Sequence, residues 1–348
     1  MLSLLWFILI LGAIVAVHEF GHFIFAKFAN IYVYEFSIGM GKKLFGKKKK
    51  GSETEFCVRA VPLGGYVMIA GEDTLDEDIP KDRQMCNKSF LQRFMVLFAG
   101  PLNNFIFAFI ILFISALIFG AVSMKPYIGN VLENYPAYDA GIRKGDLVLS
   151  IDGKKIKNWD KGLIILQTSE GETITFEIKK PDGRVEKYEV TPVEDTDEEG
   201  NKVYKFGIGT SAEREKGFIK SLTYAFNRTI SLFQSMFDTL KYLFAGKVGV
   251  NQLSGPVGIY SIIDKQAKVG FEVLLYLIAY LSINVGVINL LPFPAFDGGR
   301  ILFLFIEKIF KKPVSKKVEN MIHTIGFMLI IGLLIYVTGN DIFRLIKK

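Results

Sequence analysis

Cysteine and histidine are scarce in this chain of 348 residues, which has two of the first and three of the second. Two cysteines cannot staple a chain of this length, so a disulfide scaffold is excluded. Charge is thin as well: 22% of residues are charged and 50% are apolar. That balance excludes disorder over most of the chain, because enough apolar surface is present to offset the entropy of ordering. No segment repeats at a fixed period, which excludes a solenoid, and no inverted repeat is visible to support a transporter. Two of the three histidines lie four residues apart, and in a chain so poor in histidine that spacing carries information.

The apolar residues are gathered into runs. Leu2 to about Phe28, about Phe94 to Gly120, Val273 to Leu291, and about Met321 to Val337 are each long enough to cross a hydrocarbon core of about 30 Å as a helix. The first run has no basic leader and no small-residue cleavage site, and it continues straight into His18-Glu19, so it reads as a membrane span and not as a removable signal. Lys42, Lys43 and Lys47 to Lys50 fall between spans one and two, and Lys311, Lys312, Lys316 and Lys317 between spans three and four. Short basic loops stay on the cytoplasmic side. The N-terminus and residues 121–272 are therefore expected outside, with the basic tail (Arg344, Lys347, Lys348) outvoted. The net charge of +7 then reflects topology and lipid contact, and no nucleic-acid partner is expected.

Within the long outer segment, residues 124–192 alternate apolar and polar between turn signals such as Asp152-Gly153, Glu170-Gly171 and Pro181-Asp182-Gly183, the pattern of a small β-rich domain. Residues 194–201 read as an acidic solvated loop. From Phe218 to Phe244 an apolar stripe appears at helical spacing, interrupted by Asn227, Arg228, Asp238 and Lys241; this predicts a helix lying along the outer membrane surface. Four regions follow: 1–120, the first membrane region; 121–193, the β-rich domain; 194–272, the acidic loop and surface helix; and 273–348, the second membrane region.

His18-Glu19-Phe20-Gly21-His22 carries the chemistry. Residues four apart share a helix face, so both imidazoles can bind one Zn²⁺ at about 2.0–2.1 Å, with Glu19 beside them as general base to a water that the metal acidifies. An ionisable glutamate inside a span costs about 2.5–3.5 kcal/mol to insert, which argues for a functional partner. A catalytic zinc needs a third protein ligand, and Asp297 and His323 are the candidates near membrane segments. Asp297 sits in the stretch Asn289 to Gly299, in which Pro292, Pro294, Gly298 and Gly299 break the helix. Non-helical backbone survives at membrane depth only where protein or a cavity covers it, so Asp297 is the favoured ligand. His18 lies about 25 Å along helix one at 1.5 Å per residue, and Asp297 follows the third span by a similar length; both sites reach the cytoplasmic half.

This combination resembles the site-2 protease family of intramembrane zinc metalloproteases, in its bacterial branch with a single PDZ domain. The resemblance rests on His18-Glu19-x-x-His22, on Asn289-x-x-Pro292-x-Pro294-x-x-Asp297-Gly298, on Pro62-Leu-Gly-Gly-Tyr66, on Gly100-Pro-Leu-Asn-Asn104 and on Leu253-Ser-Gly-Pro-Val-Gly-Ile259. Phe296 departs from the usual leucine but stays apolar. Segments 127–131, 136–141 and 144–153 are similar to a PDZ domain, which adds peptides as an edge strand. The resemblance implies a polytopic α-helical membrane protein with about four transmembrane helices, a membrane-associated β element around Phe56 to Gly71 with Pro62 to Tyr66 as a turn, and one inserted extracytoplasmic PDZ-like domain. It implies Zn²⁺ held by His18, His22 and Asp297, with Glu19 as base. Asn289 is then expected on the substrate or oxyanion, and Pro292, Pro294, Gly64, Gly65, Tyr66 and Asn104 near the substrate. The implied location is the bacterial inner membrane. Expected partners are single-pass membrane substrates such as anti-sigma factors or signal-peptide remnants, the phospholipid bilayer, and peptide segments at the PDZ-like domain. Cys57 and Cys86, on the cytoplasmic side, are expected to be reduced thiols. A non-catalytic PDZ-bearing adaptor and a metal-ion transporter are the alternatives.

Overall fold

A computed structural model describes residues 2–72, 77–169, 171–196, 202–211, 213–246, 249, 253–312 and 314–346. Glu170, residues 197–201 of the expected acidic loop, and Lys347 and Lys348 lie outside the described residues. In chain order the elements are α1 (Leu2–Phe28), β1 (Val33–Lys48), β2 (Glu55–Ile69), α2 (Phe90–Phe119), β3 (Ala121–Val122), β4 (Ile128–Val131), α3 (Pro136–Asp139), β5 (Leu147–Ile151), β6 (Lys154–Lys155), α4 (Trp159–Gln167), β7 (Ile174–Lys179), β8 (Val185–Val190), β9 (Val193–Thr196), β10 (Lys202–Lys205), β11 (Ile208–Thr210) and β12 (Arg214–Glu215). Five helices follow: α5 (Phe218–Phe244), α6 (Pro256–Val269), α7 (Phe271–Leu290), α8 (Asp297–Phe310) and α9 (Lys316–Ile346). Among the described residues, four helices are long and apolar enough to cross a membrane: α1, α2, α7 and α9. The protein is thus a polytopic helical membrane protein with an inserted β-rich domain. The chain divides into two compact units, Met1–Ile111 with Gly255–Thr338, and Leu112–Ser254 with Gly339–Lys348.

Packing in the first unit is governed by close approach. Lipid tails are as apolar as leucine, so burial drives helix association weakly in a bilayer and small residues let backbones meet. Gly21 of α1 lies against Ala99 of α2, where a Cβ would stand 2.2 Å from the Ala99 carbonyl oxygen. Gly286 of α7 does the same against Phe105 and the Pro101 carbonyl of α2. The helix α6, which the sequence pattern did not reveal, packs Ile263 against Phe7, Ile10 and Ile14 of α1 and Leu274 of α7; Ser3 also donates to Asp264.

The strands β1 and β2 form a ribbon folded back on itself into a small sheet: residues 33–38 pair antiparallel with 65–69 and also run parallel beside 55–58, from Glu35 opposite Glu55 to Ile38 opposite Val58, while 43–48 pair antiparallel with 55–59. The chain reverses at residues 49–54 and again between residues 59 and 65, since 55–58 run with 35–38 and 65–69 run against them; the turn expected at Pro62 to Tyr66 falls at this second reversal. Gly64 stands there at φ +94°, a conformation glycine reaches without steric cost.

The second unit has a water-soluble type of core, in which Ile128, Ile142, Val148, Ile151, Phe176 and Ile178 are almost fully buried. Each such side chain contributes about 1.5–3 kcal/mol by removal from water. The main sheet runs β6-β5-β7-β8, with β4 paired to β11 and β3 to β12. These last pairings carry the β-rich unit past residue 193, where the sequence pattern had ended it. Glu194 to Thr196 belong to β9, which pairs with β10, and so they are strand and not loop. Asp146 is buried at the base of this unit and is held by Lys180 at 2.8 Å and by the Arg143 N–H at 2.9 Å. The α5 helix docks through Arg228, whose Nη1 lies 2.6 Å from both carboxylate oxygens of Asp160. Phe218, Phe226, Phe237 and Phe244 stand exposed on this helix.

Candidate metal centre

The i, i+4 spacing on α1 brings His18 and His22 side by side, and both are buried. Their Nε2 atoms are 3.2 Å apart. Asp297 is the first residue of α8. Its Oδ2 lies 3.1 Å from His18 Nε2 and 3.4 Å from His22 Nε2, and that oxygen is buried with no hydrogen-bond partner. Three donor atoms at the corners of a tetrahedral metal with bonds of about 2.0–2.2 Å stand about 3.3–3.5 Å apart. The observed triangle fits zinc, and a buried carboxylate oxygen with no hydrogen-bond donor, facing two imidazole nitrogens, is a donor set that a cation would satisfy.

Neighbouring groups set the imidazoles. The His22 Nδ1–H donates to the Val96 carbonyl of α2 at 2.8 Å, which leaves Nε2 with its lone pair for a metal. The Asn104 amide lies 3.1 Å from His18 Nδ1, and Asn104 Oδ1 is buried with no hydrogen-bond partner. With that oxygen turned to the ring, the amide accepts from Nδ1–H and His18 Nε2 becomes the free ligand atom. Asn104 was expected to contact the substrate; it sits instead behind His18, fully buried, and its carbonyl accepts from Ser282 of α7 at 2.9 Å. Gly100 supplies the room for the rings, since a Cβ there would lie 2.3 Å from His22 Nε2 and 2.8 Å from His18 Cε1.

A cavity of about 510 Å³ opens on this triangle and is lined by Glu19, Tyr66, Val67, Asn289, Asp297 and Arg300, among others. Glu19 is held by the backbone N–H of Val67 and backed by Gly65, where a Cβ would lie 3.3 Å from Glu19 Cγ. The Tyr66 hydroxyl turns away to donate to Glu35 at 2.8 Å. Gly64 packs against Met40, and Pro292 is exposed on the loop between α7 and α8, outside the cavity lining. Pro294 also lies off the cavity, against Gly326 of α9. The loop closes tightly onto α8, because a Cβ at Gly298 would meet the Leu291 carbonyl oxygen at 2.3 Å.

His323, the alternative third ligand, is not part of the triangle; its Nδ1 accepts from the Ala295 N–H at 2.9 Å. Sequence reasoning missed the Val96 carbonyl, the space at Gly100, and the Arg300–Glu72 ion pair at the cavity wall. Only Gly100 had a sequence signal, as part of the Gly100-Pro-Leu-Asn-Asn104 motif.

The family model for peptidase family M50 matches residues 6–333. The zinc metalloprotease RasP of Shouchella clausii is 33% identical, over 99% of this chain and 99% of its own length. The regulator of sigma-W protease RasP of Bacillus subtilis is 32% identical, over 97% of this chain and 98% of its own. Part of the chain is also similar to the PDZ domain of an SdrC-like protein from Listeria monocytogenes, at 22% identity and a TM-score of 0.22, covering 25% of this chain and 88% of that one. A match across nearly the whole length, to the family model and to full-length relatives alike, means that this chain belongs to peptidase family M50, the site-2 proteases, and is a zinc-dependent intramembrane metalloprotease of regulated intramembrane proteolysis.

Proposed function

We propose that His18, His22 and Asp297 hold the zinc, that Glu19 is the general base, and that the enzyme cuts peptide bonds within the transmembrane segments of single-pass membrane proteins. The observation that carries this reading is the triangle of donor atoms 3.1–3.4 Å apart beside Glu19, with both histidines on a helix apolar enough to span a bilayer. When bound, zinc supplies Lewis acidity that polarises a peptide carbonyl and lowers the pKa of water. The Glu19 carboxylate, fixed by the Val67 N–H, takes a proton from the attacking water and passes it to the leaving amine nitrogen. The side-chain amide of Asn289, on the same cavity, donates to the developing oxyanion.

A scissile bond in a helix is shielded by its own hydrogen bonds, so the substrate must unwind before it is cut. Residues 66–69 of β2 run along the cavity wall and are suited to receive the unwound segment as an added strand. In the β-rich unit, Leu132, Tyr135, Leu163, Leu166 and Ile208 line a groove of about 390 Å³ between β11 and α4, which supports capture of peptide segments outside the membrane. The lysine-rich ribbon tip and the basic segment before α9 orient the active site toward the cytoplasm, with the N-terminus, the PDZ-like domain and the exposed aromatic face of α5 outside. By likeness to the sigma-W regulator protease, an anti-sigma factor is the leading substrate, with signal-peptide remnants as the second class.

The test is Glu19→Gln in proteoliposomes holding a single-pass substrate. Zinc content is expected to stay at the wild-type level while cleavage disappears; retained cleavage refutes the assignment.

A further inference from the structure

The third histidine has a place in the structure that neither the zinc chemistry nor the family match explains. His323 belongs to α9, a helix whose Met321, Ile325, Met328, Leu329 and Ile335 are all exposed. This helix turns two small features toward the rest of its unit. His323 Nδ1 accepts from the Ala295 N–H at 2.9 Å. Three residues on, and so on the same helix face, Gly326 meets Pro294 so closely that a Cβ would stand 2.4 Å from the Pro294 Cβ and 2.8 Å from its carbonyl oxygen. Both contacts fall on the short loop that ends at Asp297.

Ala295 is held at φ +78°, in the left-handed region that side chains other than glycine rarely adopt. Such a conformation persists where its surroundings over-determine it. On one side of the loop, Gly298 and Gly299 press against the carbonyls of Leu290, Leu291 and Phe293, within 2.3–2.4 Å of where a Cβ would sit. On the other side stand His323 and Gly326. The ring of His323 is itself set by Phe303 of α8, with centroids 5.6 Å apart.

We propose that His323 is a positioning residue for the metal centre: by accepting the Ala295 N–H it locks the loop in the conformation that delivers the Asp297 carboxylate to His18 and His22. This inference rests on Asp297 being a zinc ligand. The role needs an acceptor at that point in space, and it needs neither a titrating group nor a ligand atom. An asparagine oxygen can occupy nearly the position of the imidazole Nδ1, whereas leucine fills similar volume and accepts nothing.

The experiment measures zinc affinity of the full-length enzyme by chelator competition, beside kcat and KM on a membrane substrate. His323→Leu is expected to weaken zinc binding about tenfold and to lower kcat with KM little changed, in the range seen for groups that orient metal ligands. His323→Asn is expected to stay within about threefold of the wild type. Gly326→Ala, which pushes on the loop through Pro294 and leaves His323 intact, is expected to lose zinc affinity as well; Gly332→Ala, with nothing within 4 Å, is the control. Wild-type zinc affinity in either His323→Leu or Gly326→Ala overturns the proposal, as does an asparagine variant as impaired as leucine. If His323→Leu does not fold, the asparagine and Gly326 variants decide. Asp297→Ala separates the two levels: loss of zinc there with retention in His323→Leu sinks this inference alone, and retention there sinks the ligand assignment beneath it.

Discussion

The sharpest test of the metal centre is a single methyl group at Gly100. A Cβ at this position falls 2.3 Å from His22 Nε2, 2.6 Å from His22 Cε1 and 2.8 Å from His18 Cε1, where ordinary contact begins at 3.4 Å. The His22 ring must retreat by about 1 Å to make room. It cannot swing freely, because its Nδ1–H is tied to the Val96 carbonyl at 2.8 Å. A ligand shift of that size exceeds the roughly 0.2 Å tolerance of a metal–ligand distance. Gly100→Ala is therefore expected to weaken zinc binding by about 10–100-fold, with a fall of about 10²-fold in kcat. Folding should suffer far less, since overpacking costs about 1–3 kcal/mol and the gain in helix propensity returns about 1 kcal/mol. Zinc affinity is again measured by chelator competition in detergent or proteoliposomes, with helical content as the check on folding and Gly332→Ala as the control. An alanine variant that binds zinc within twofold of the wild type and cleaves normally would refute the assignment of these imidazoles to the metal.

Further expectations concern the parts around the site. Lys180→Met leaves the buried Asp146 carboxylate without its ion-pair partner, and the β-rich unit should lose about 3–5 kcal/mol, read as faster hydrogen exchange over residues 121–215 of the full chain. Arg228→Met removes both hydrogen bonds to Asp160 and should loosen α5 from α4 by about 1.5–3 kcal/mol; proteolysis within α5 while β7 stays protected would report it. Burial raises the Glu35 carboxyl, but hydrogen bonds from Arg59, Tyr66 and Cys57 outweigh it and hold its pKa below the usual 4.5. Its stabilisation of the ribbon is then complete above pH 4.5 and is lost as the pH falls through the lower folded value, so acid should speed exchange in β1 and β2, and Glu35→Gln should remove that dependence. Burial and the Glu35 hydrogen bond push the Cys57 thiol up, and with 3% exposure it should react with maleimide at neutral pH more slowly than Cys86.

Much of the site could be read before any coordinates, for a local reason. His18, Glu19 and His22 share one helix turn, so spacing alone sets their relation. The prolines and glycines around Asp297 mark a helix break by their own backbone chemistry. Weaker local signals misled or said nothing. The exposed acidic β9, expected as part of a loop, lacks the alternation that marks a half-buried strand. The helices α6 and α8 are 14 residues each, too short to stand out beside the membrane spans.

The sequence by itself determined the four spans, because crossing a bilayer demands a run of apolar residues that no tertiary contact can replace. It also determined the pair of histidines and the glutamate between them. Only the tertiary structure brought Asp297 to the two histidines, Asn104 to the back of His18, Gly100 against both imidazoles, and His323 to the Ala295 N–H. These are contacts between residues 28 to 279 positions apart, and such pairings depend on how helices approach one another, a property of packed surfaces that periodicity along one helix does not contain.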